Sequence, residues 1–102
     1  MDEEEQAKSV SRQLGVPYAS FANKILKMEP GQGLEKLIPE TFARKRAVLP
    51  LFMDGQTLAI TMTDPSDAVL LDHIRLIARQ EVQPFISSRT QILAAIDASY
   101  RP

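Results

Sequence analysis

The chain has 102 residues, 44% of them hydrophobic and 25% charged, with a formal net charge of −1, one histidine and no cysteine. That length fits one domain, and the missing cysteines exclude disulfides, thiolate chemistry and cysteine-ligated metal. The near-neutral charge leaves no electrostatic footprint for nucleic acid or an anionic membrane. No apolar run approaches the roughly 20 residues a bilayer span needs. The start, Met-Asp-Glu-Glu-Glu, is acidic where a signal peptide would be basic and then apolar. A cytoplasmic location is therefore expected. Starting and stopping so close to its structured elements, the chain reads as one domain, 1–102, excised from a larger protein.

Residues 3 to 14 place Ala7, Val10 and Leu14 at helical spacing, and Gly15 suits the left-handed position that ends a helix. The stripe is narrow. Such a helix docks loosely or packs on something outside the chain. Val16 to Phe21 reads as extended, and Met28 to Gly33, with Pro30, Gly31 and Gly33, as a loop. Leu34, Leu37 and Ile38 lead to Pro39, which fits the first turn of a second helix running to about Arg46. Phe42 and Ala43 are its expected buried positions, and Arg44, Lys45 and Arg46 crowd its last turn, where cations suit the helix dipole. Residues 1–33 thus form a helical N-terminal segment and loop, ahead of an α/β core over 34–102.

Ala47 to Met53 and Thr57 to Met62 read as strands joined through Asp54-Gly55, a strong hairpin signal. Pro50 places the first at a sheet edge. In the second, Leu58, Ile60 and Met62 form a buried face, and the face of Thr57, Ala59 and Thr61 is expected to be at most half covered. Asp64 is the expected cap of a helix over 65–79, with Pro65 at its first position and Asp67 in its first turn. Leu70, Leu71, Ile74, Ile77 and Ala78 make its apolar stripe, widened sideways by Val69, His73 and Leu76. That arc exceeds the roughly 100° a surface helix needs. Cover by the N-terminal helices is the expectation, with a partner protein as the alternative. Glu81 to Ser87 is a third strand, and Ser88 caps a last helix carrying Ile92, Leu93, Ile96 and Tyr100. Strand, helix, strand at this spacing implies a parallel crossover. The fold class is α+β: a small three-stranded mixed sheet, hairpin plus βαβ unit, packed with helices.

Little in the chain is arranged for chemistry. No phosphate-binding loop of the Gly-x-x-x-x-Gly-Lys-Ser/Thr kind occurs, and Gly31-Gln32-Gly33 reads as a turn. His73 stands alone on the flank of an apolar stripe, the setting of a packing residue rather than of a metal ligand or base. Asp64 and Asp67 read as helix-start residues. The 44–46 run is a solvated helix end, or else a contact for an acidic partner or a phosphate. Most of the aromatic residues fall at periodic core positions, which disfavours base stacking. No metal, no catalytic set and no bound nucleic acid are expected.

The order of signals resembles a known family. Gln13-Leu14-Gly15-Val16-Pro17-Tyr18 precedes Leu37-Ile38-Pro39-Glu40-Thr41-Phe42-Ala43-Arg44. Val48-Leu49-Pro50-Leu51, Leu58-Ala59-Ile60-Thr61-Met62, Asp64-Pro65 and a closing Ile92 to Tyr100 helix follow. This succession is similar to the N-terminal domain of type II secretion and type IV pilus assembly ATPases and their cyclic-di-GMP-binding relatives, over about residues 7 to 100. The resemblance implies a bacterial domain without ATP hydrolysis of its own, in a parent that is a hexameric ATPase. It implies docking onto the cytoplasmic region of an inner-membrane platform protein, peripheral to that membrane. Val69, His73, Leu76, Val10 and Leu14 are the candidate partner contacts. The alternative is a cyclic di-GMP sensor using Arg12, Arg44, Lys45 and Arg46. The sensing branch has paired motifs opening Arg-Leu-Gly. Here Arg12-Gln13-Leu14-Gly15 carries an extra residue, and no second copy exists.

Overall fold

A computed structural model describes residues 2–100. Its elements are helix α1 (Glu3–Leu14), the single turn α2 (Leu34–Leu37), α3 (Glu40–Arg46), strands β1 (Leu49–Asp54) and β2 (Thr57–Met62), α4 (Ala68–Ala78), β3 (Glu81–Ile86) and α5 (Arg89–Tyr100). The strands lie in the order β1-β2-β3. β1 pairs antiparallel with β2, and β2 pairs parallel with β3. This is the expected mixed sheet, a hairpin plus a parallel pair joined through α4.

Asp54-Gly55 makes the hairpin turn, with Gly55 at φ 63°, a conformation that costs a glycine no Cβ clash. The register Thr57↔Glu81 through Met62↔Ile86 gives the sheet two faces. Leu58, Ile60, Met62, Val82 and Ile86 share one and are buried, in a core with Leu34, Ile38, Ile74, Ile92 and Ile96. On the other, Ala59 and Thr61 are also buried, so this face is better covered than its alternation predicts. Phe52, opposite Ala59, and Phe85, opposite Thr61, meet edge-on with ring centres 6.0 Å apart. Thr61 is covered from the N-terminal side, through the buried Ser87 and the backbone of Ala19.

Both sheet edges are partly covered. Ile86 N–H donates to Pro17 C=O and Ala19 N–H to Ile86 C=O, each at 2.9 Å, so residues 17–19 extend the sheet past β3. On the β1 side, Glu29 N–H donates to Leu51 C=O at 2.8 Å, and Met53 N–H donates to Gln32 Oε1 at 2.9 Å. The β1–β2 register shifts between Pro50 and Phe52. The two strand prolines therefore fall on outer strands, where a missing donor is tolerated. These contacts reduce the unpaired edge backbone that invites strand addition.

Two helix starts differ from expectation. The second helix is split: α2 ends at Leu37, and Pro39 stands outside α3 as its N-cap rather than in its first turn. α4 begins at Ala68, with Asp67 as its N-cap accepting from Leu70 N–H at 3.1 Å. Asp64 instead closes the preceding turn, accepting from Ser66 N–H at 3.0 Å and Ser66 O–H at 2.5 Å. Pro65 lies buried in that turn. Both aspartates have the cap chemistry; the one directly before the first helical residue, Ala68, takes the role. As expected, Ser88 Oγ caps α5, accepting from Gln91 N–H at 3.3 Å.

Candidate partner-binding surfaces

Helix α1 is well made locally and weakly attached. The Asp2 side chain accepts from Glu5 N–H at 2.7 Å, three glutamates fill the first turn, and Gly15 closes the helix at φ 67°. Of its twelve residues only Ala7 is buried; Val10 is half-buried, and Leu14 is 48% exposed. Its other ties are polar. The Glu3 carboxylate accepts from Thr90 O–H at 2.5 Å and Thr90 N–H at 3.3 Å, at the start of α5. That hydrogen bond to the Thr90 hydroxyl holds the Glu3 carboxyl below its ordinary range. Tyr18 O–H donates to Glu4 at 3.2 Å, and the Lys8 ammonium stands 5.8 Å from the Tyr18 ring centre. Burial, then the Glu4 contact, pushes the Tyr18 phenol up to about 12. Between α1 and residues 86–89 runs a cleft of about 250 Å³ lined by Glu3, Val10, Ile86, Ser87 and Ser88 among others.

Helix α4 carries the second surface. Leu70, Ile74 and Ala78 are buried against the core, and Leu71 is half-buried. Val69 and Leu76 are 68% and 75% exposed, and His73 is exposed between them. The N-terminal helices do not cover this flank, contrary to expectation. The reason is placement: α1 packs on β3 and α3 on α5, while α4 meets the sheet chiefly along β3. Ile77, expected in the buried stripe, is exposed and widens the flank. Phe21, at the end of the extended 16–21 stretch, is also exposed. A helical wheel alone does not reveal either outcome, because which flank a neighbour covers is a tertiary fact.

The cations separate into unlike roles. Arg44 bridges α3 and α5: its Nε donates to Glu40 at 2.8 Å and its Nη2 to Asp97 at 2.6 Å. Those contacts, Asp97 first, raise its pKa. Arg44 is thus a structural tie, whereas Lys45 is exposed, Arg46 half-buried, and Arg12 exposed at the far end of α1. The structure does not gather Arg12 with the 44–46 run on one element, since α1 lies along β3 and α3 along α5. On the sheet, Phe52, Asp54, Thr57, Ala59, Gln83 and Phe85 line a shallow groove of about 320 Å³ that sequence reasoning did not find. Among the described residues, no group of three His, Asp or Glu side chains is placed to hold a metal ion. Among them, too, no helix is long and apolar enough to cross a membrane.

With this geometry in place, similarity to known proteins decides the family. The MshEN domain matches residues 14–102. The chain belongs to the MshEN domain family. This is the N-terminal domain type of type II secretion and type IV pilus ATPases, as its sequence motifs implied. The chain is 30% identical over 99 residues to the type IV pilus assembly ATPase PilB of Thermus thermophilus, covering 92% of this chain and 11% of that protein. It is 30% identical over 91 residues to PilB of Myxococcus xanthus, covering 89% of this chain and 15% of that one. The MshEN chain thus spans only a small fraction of the length of these curated relatives. Its fold matches the N-terminal domain of XpsE with a TM-score of 0.83 at 18% identity, over 98% of this chain and 68% of that one. It matches MshE, solved with cdg, with a TM-score of 0.75 at 22% identity, over 93% and 66% of the two chains.

Proposed function

We propose that this MshEN domain is a non-catalytic docking module of a bacterial secretion or pilus assembly ATPase. It joins the motor to the cytoplasmic region of an inner-membrane platform protein, which would hold it peripheral to that membrane. The observation that carries this reading is α1. A twelve-residue helix is marginal in water by itself, and burying one alanine methyl adds only about 1 kcal/mol. Leu14 is left exposed at its end, and Val10 is only half-buried along the cleft against Ser87 and Ser88. A helix folded by its own caps and left with apolar surface to spare is suited to bury that surface in a partner.

The test is binding of the wild-type domain and of Leu14→Glu to the cytoplasmic region of the platform protein from the same secretion or pilus system. Loss of one buried leucine contact, about 1.5 to 3 kcal/mol, should weaken binding by at least tenfold, with melting unchanged. Equal binding by both chains removes α1 as the contact.

A second reading, cyclic di-GMP sensing through Arg12 and the 44–46 run, draws on the shared fold with MshE, which was solved with cdg. Against it, Arg44 is already engaged by Glu40 and Asp97. Amide shifts of Arg12, Lys45 and Arg46 on adding cyclic di-GMP would favour this reading; unmoved amides at high micromolar ligand would end it.

A further inference from the structure

The exposed flank of α4 has a property that its apolarity alone does not convey. Val69 and Leu76 are seven residues apart, so they stand about 20° apart around the helix and about 10 Å apart along it. They define a straight stripe. Asp72 and His73 sit at its midpoint, about 50° to either side, and all four are exposed. Charge is graded along the same helix. Asp64, Asp67 and Asp72 occupy its N-terminal approach and first half, and Arg75 and Arg79 its second half.

We propose that this flank is an isologous interface, taken by the α4 of a second copy of the chain running antiparallel. A two-fold axis passing between Asp72 and His73 superposes the stripe on itself, as self-complementary surfaces in symmetric dimers require. Val69 of each copy then meets Leu76 of the other. On one side of the stripe the two Asp72 carboxylates come together near the axis, each already paired with Arg75 of its own helix at 2.7 Å. Arg79, exposed at the left-handed end of α4, comes over the turn from Asp64 to Asp67 of the other copy. On the other side the two His73 rings face each other. Charge complementarity at the helix ends selects this arrangement. Asp72 meets Asp72 near the axis in either sense, but a parallel pair would also set Arg79 on Arg79 and the Asp64–Asp67 turn on its own copy, and like charges held together oppose association. One helix pair buries less than the roughly 1,200 Å² of an ordinary stable complex. The dimer is therefore weak in solution and populated only where copies are concentrated or tethered.

The chain has no cysteine, so single cysteines report geometry without background. Val69→Cys and Leu76→Cys chains, mixed at about 1 mM total (a range in which weak complexes populate) and oxidised, should crosslink 69 to 76. The 69–69 and 76–76 products should form at least tenfold more slowly, their Cβ atoms lying about 10 Å apart along the axis. Sedimentation of the unoxidised wild type should show dimer at the same concentration, and Leu76→Glu should weaken it by at least tenfold while melting like the wild type. A wild type that stays monomeric overturns the proposal, as do equal yields of all three crosslinks or a preference for 69–69 and 76–76. If Leu76→Glu leaves self-association intact but abolishes binding to the platform protein, the flank belongs to that partner and the proposal is wrong. Leu14→Glu should leave the dimer unchanged, which separates this interface from the α1 contact.

Discussion

The Thr61 and Ser87 hydroxyls are hydrogen-bonded at 2.6 Å in the core, and their donor order is fixed by a third residue. Ser87 O–H donates to the carbonyl of Ala19 at 2.6 Å. Having one proton, Ser87 must accept from Thr61. The relay runs from the central strand through the end of β3 to the N-terminal segment, joining positions 68 residues apart. Replacing Ser87 by alanine orphans both the Thr61 donor and the Ala19 acceptor in buried surroundings. Thr61→Val removes only one donor and keeps the Ser87–Ala19 bond. Ser87→Ala should therefore cost about 1 to 3 kcal/mol and Thr61→Val about 1 or less, with urea unfolding as the measure. Equal losses would mean that the relay order is not as described.

Asp67 rather than Asp64 caps α4. Asp67→Ala should destabilise by about 1 kcal/mol, the usual worth of such a cap. Asp64→Ala, which disturbs only a surface turn, should cost less. Thermal melting of the two variants under one buffer makes the comparison, and the reverse order would return the cap to Asp64.

Glu3 ties α1 to α5 through Thr90, and its carboxyl titrates below its ordinary range. A group with a depressed folded pKa contributes above its unfolded value and loses that contribution as pH falls through the folded one. The Thr90 amide resonance should therefore move, and α1 amide exchange quicken, as pH drops below the usual carboxylate range near 4. Glu3→Gln should abolish that transition. A Thr90 amide indifferent to both would remove the tie.

Tyr18 works in the opposite sense. Its phenol is pushed up from 10.0 to about 12, so its contribution is complete below pH 10 and disappears as pH rises through about 12. Tyrosinate absorbance should show one ring ionising near 12 in the wild type, and that step should be missing in Tyr18→Phe. Tyr100, half-buried with its O–H donated to Ile38 C=O at 2.6 Å, is also raised, chiefly by that burial. It ionises later still.

The elements governed by local rules were legible in the sequence. Gly15 ends α1, Asp54-Gly55 turns the hairpin, Ser88 starts α5, and alternation marks the buried face of β2. Each depends on residues within a few positions. What escaped was decided by distant neighbours. Arg44 looks like a solvated helix end until Asp97, 53 residues on, is brought beside it. Val69 and Leu76 look excessive for one contact, but only the placement of α1 and α3 elsewhere shows that nothing in the described chain covers them. The Asp64–Asp67 choice turned on where the first helical turn closes, which two equally good caps leave open.

The docking claim is tested most directly by residue-resolved mapping. Isotope-labelled wild-type domain is titrated with the unlabelled cytoplasmic region of the platform protein, and backbone amides are followed. The account predicts shifts centred on Ser9 to Gly15 and on the facing Ser87 and Ser88, with the sheet groove around Phe52 and Phe85 unmoved. Shifts confined to that groove, or none at saturating partner, would contradict it.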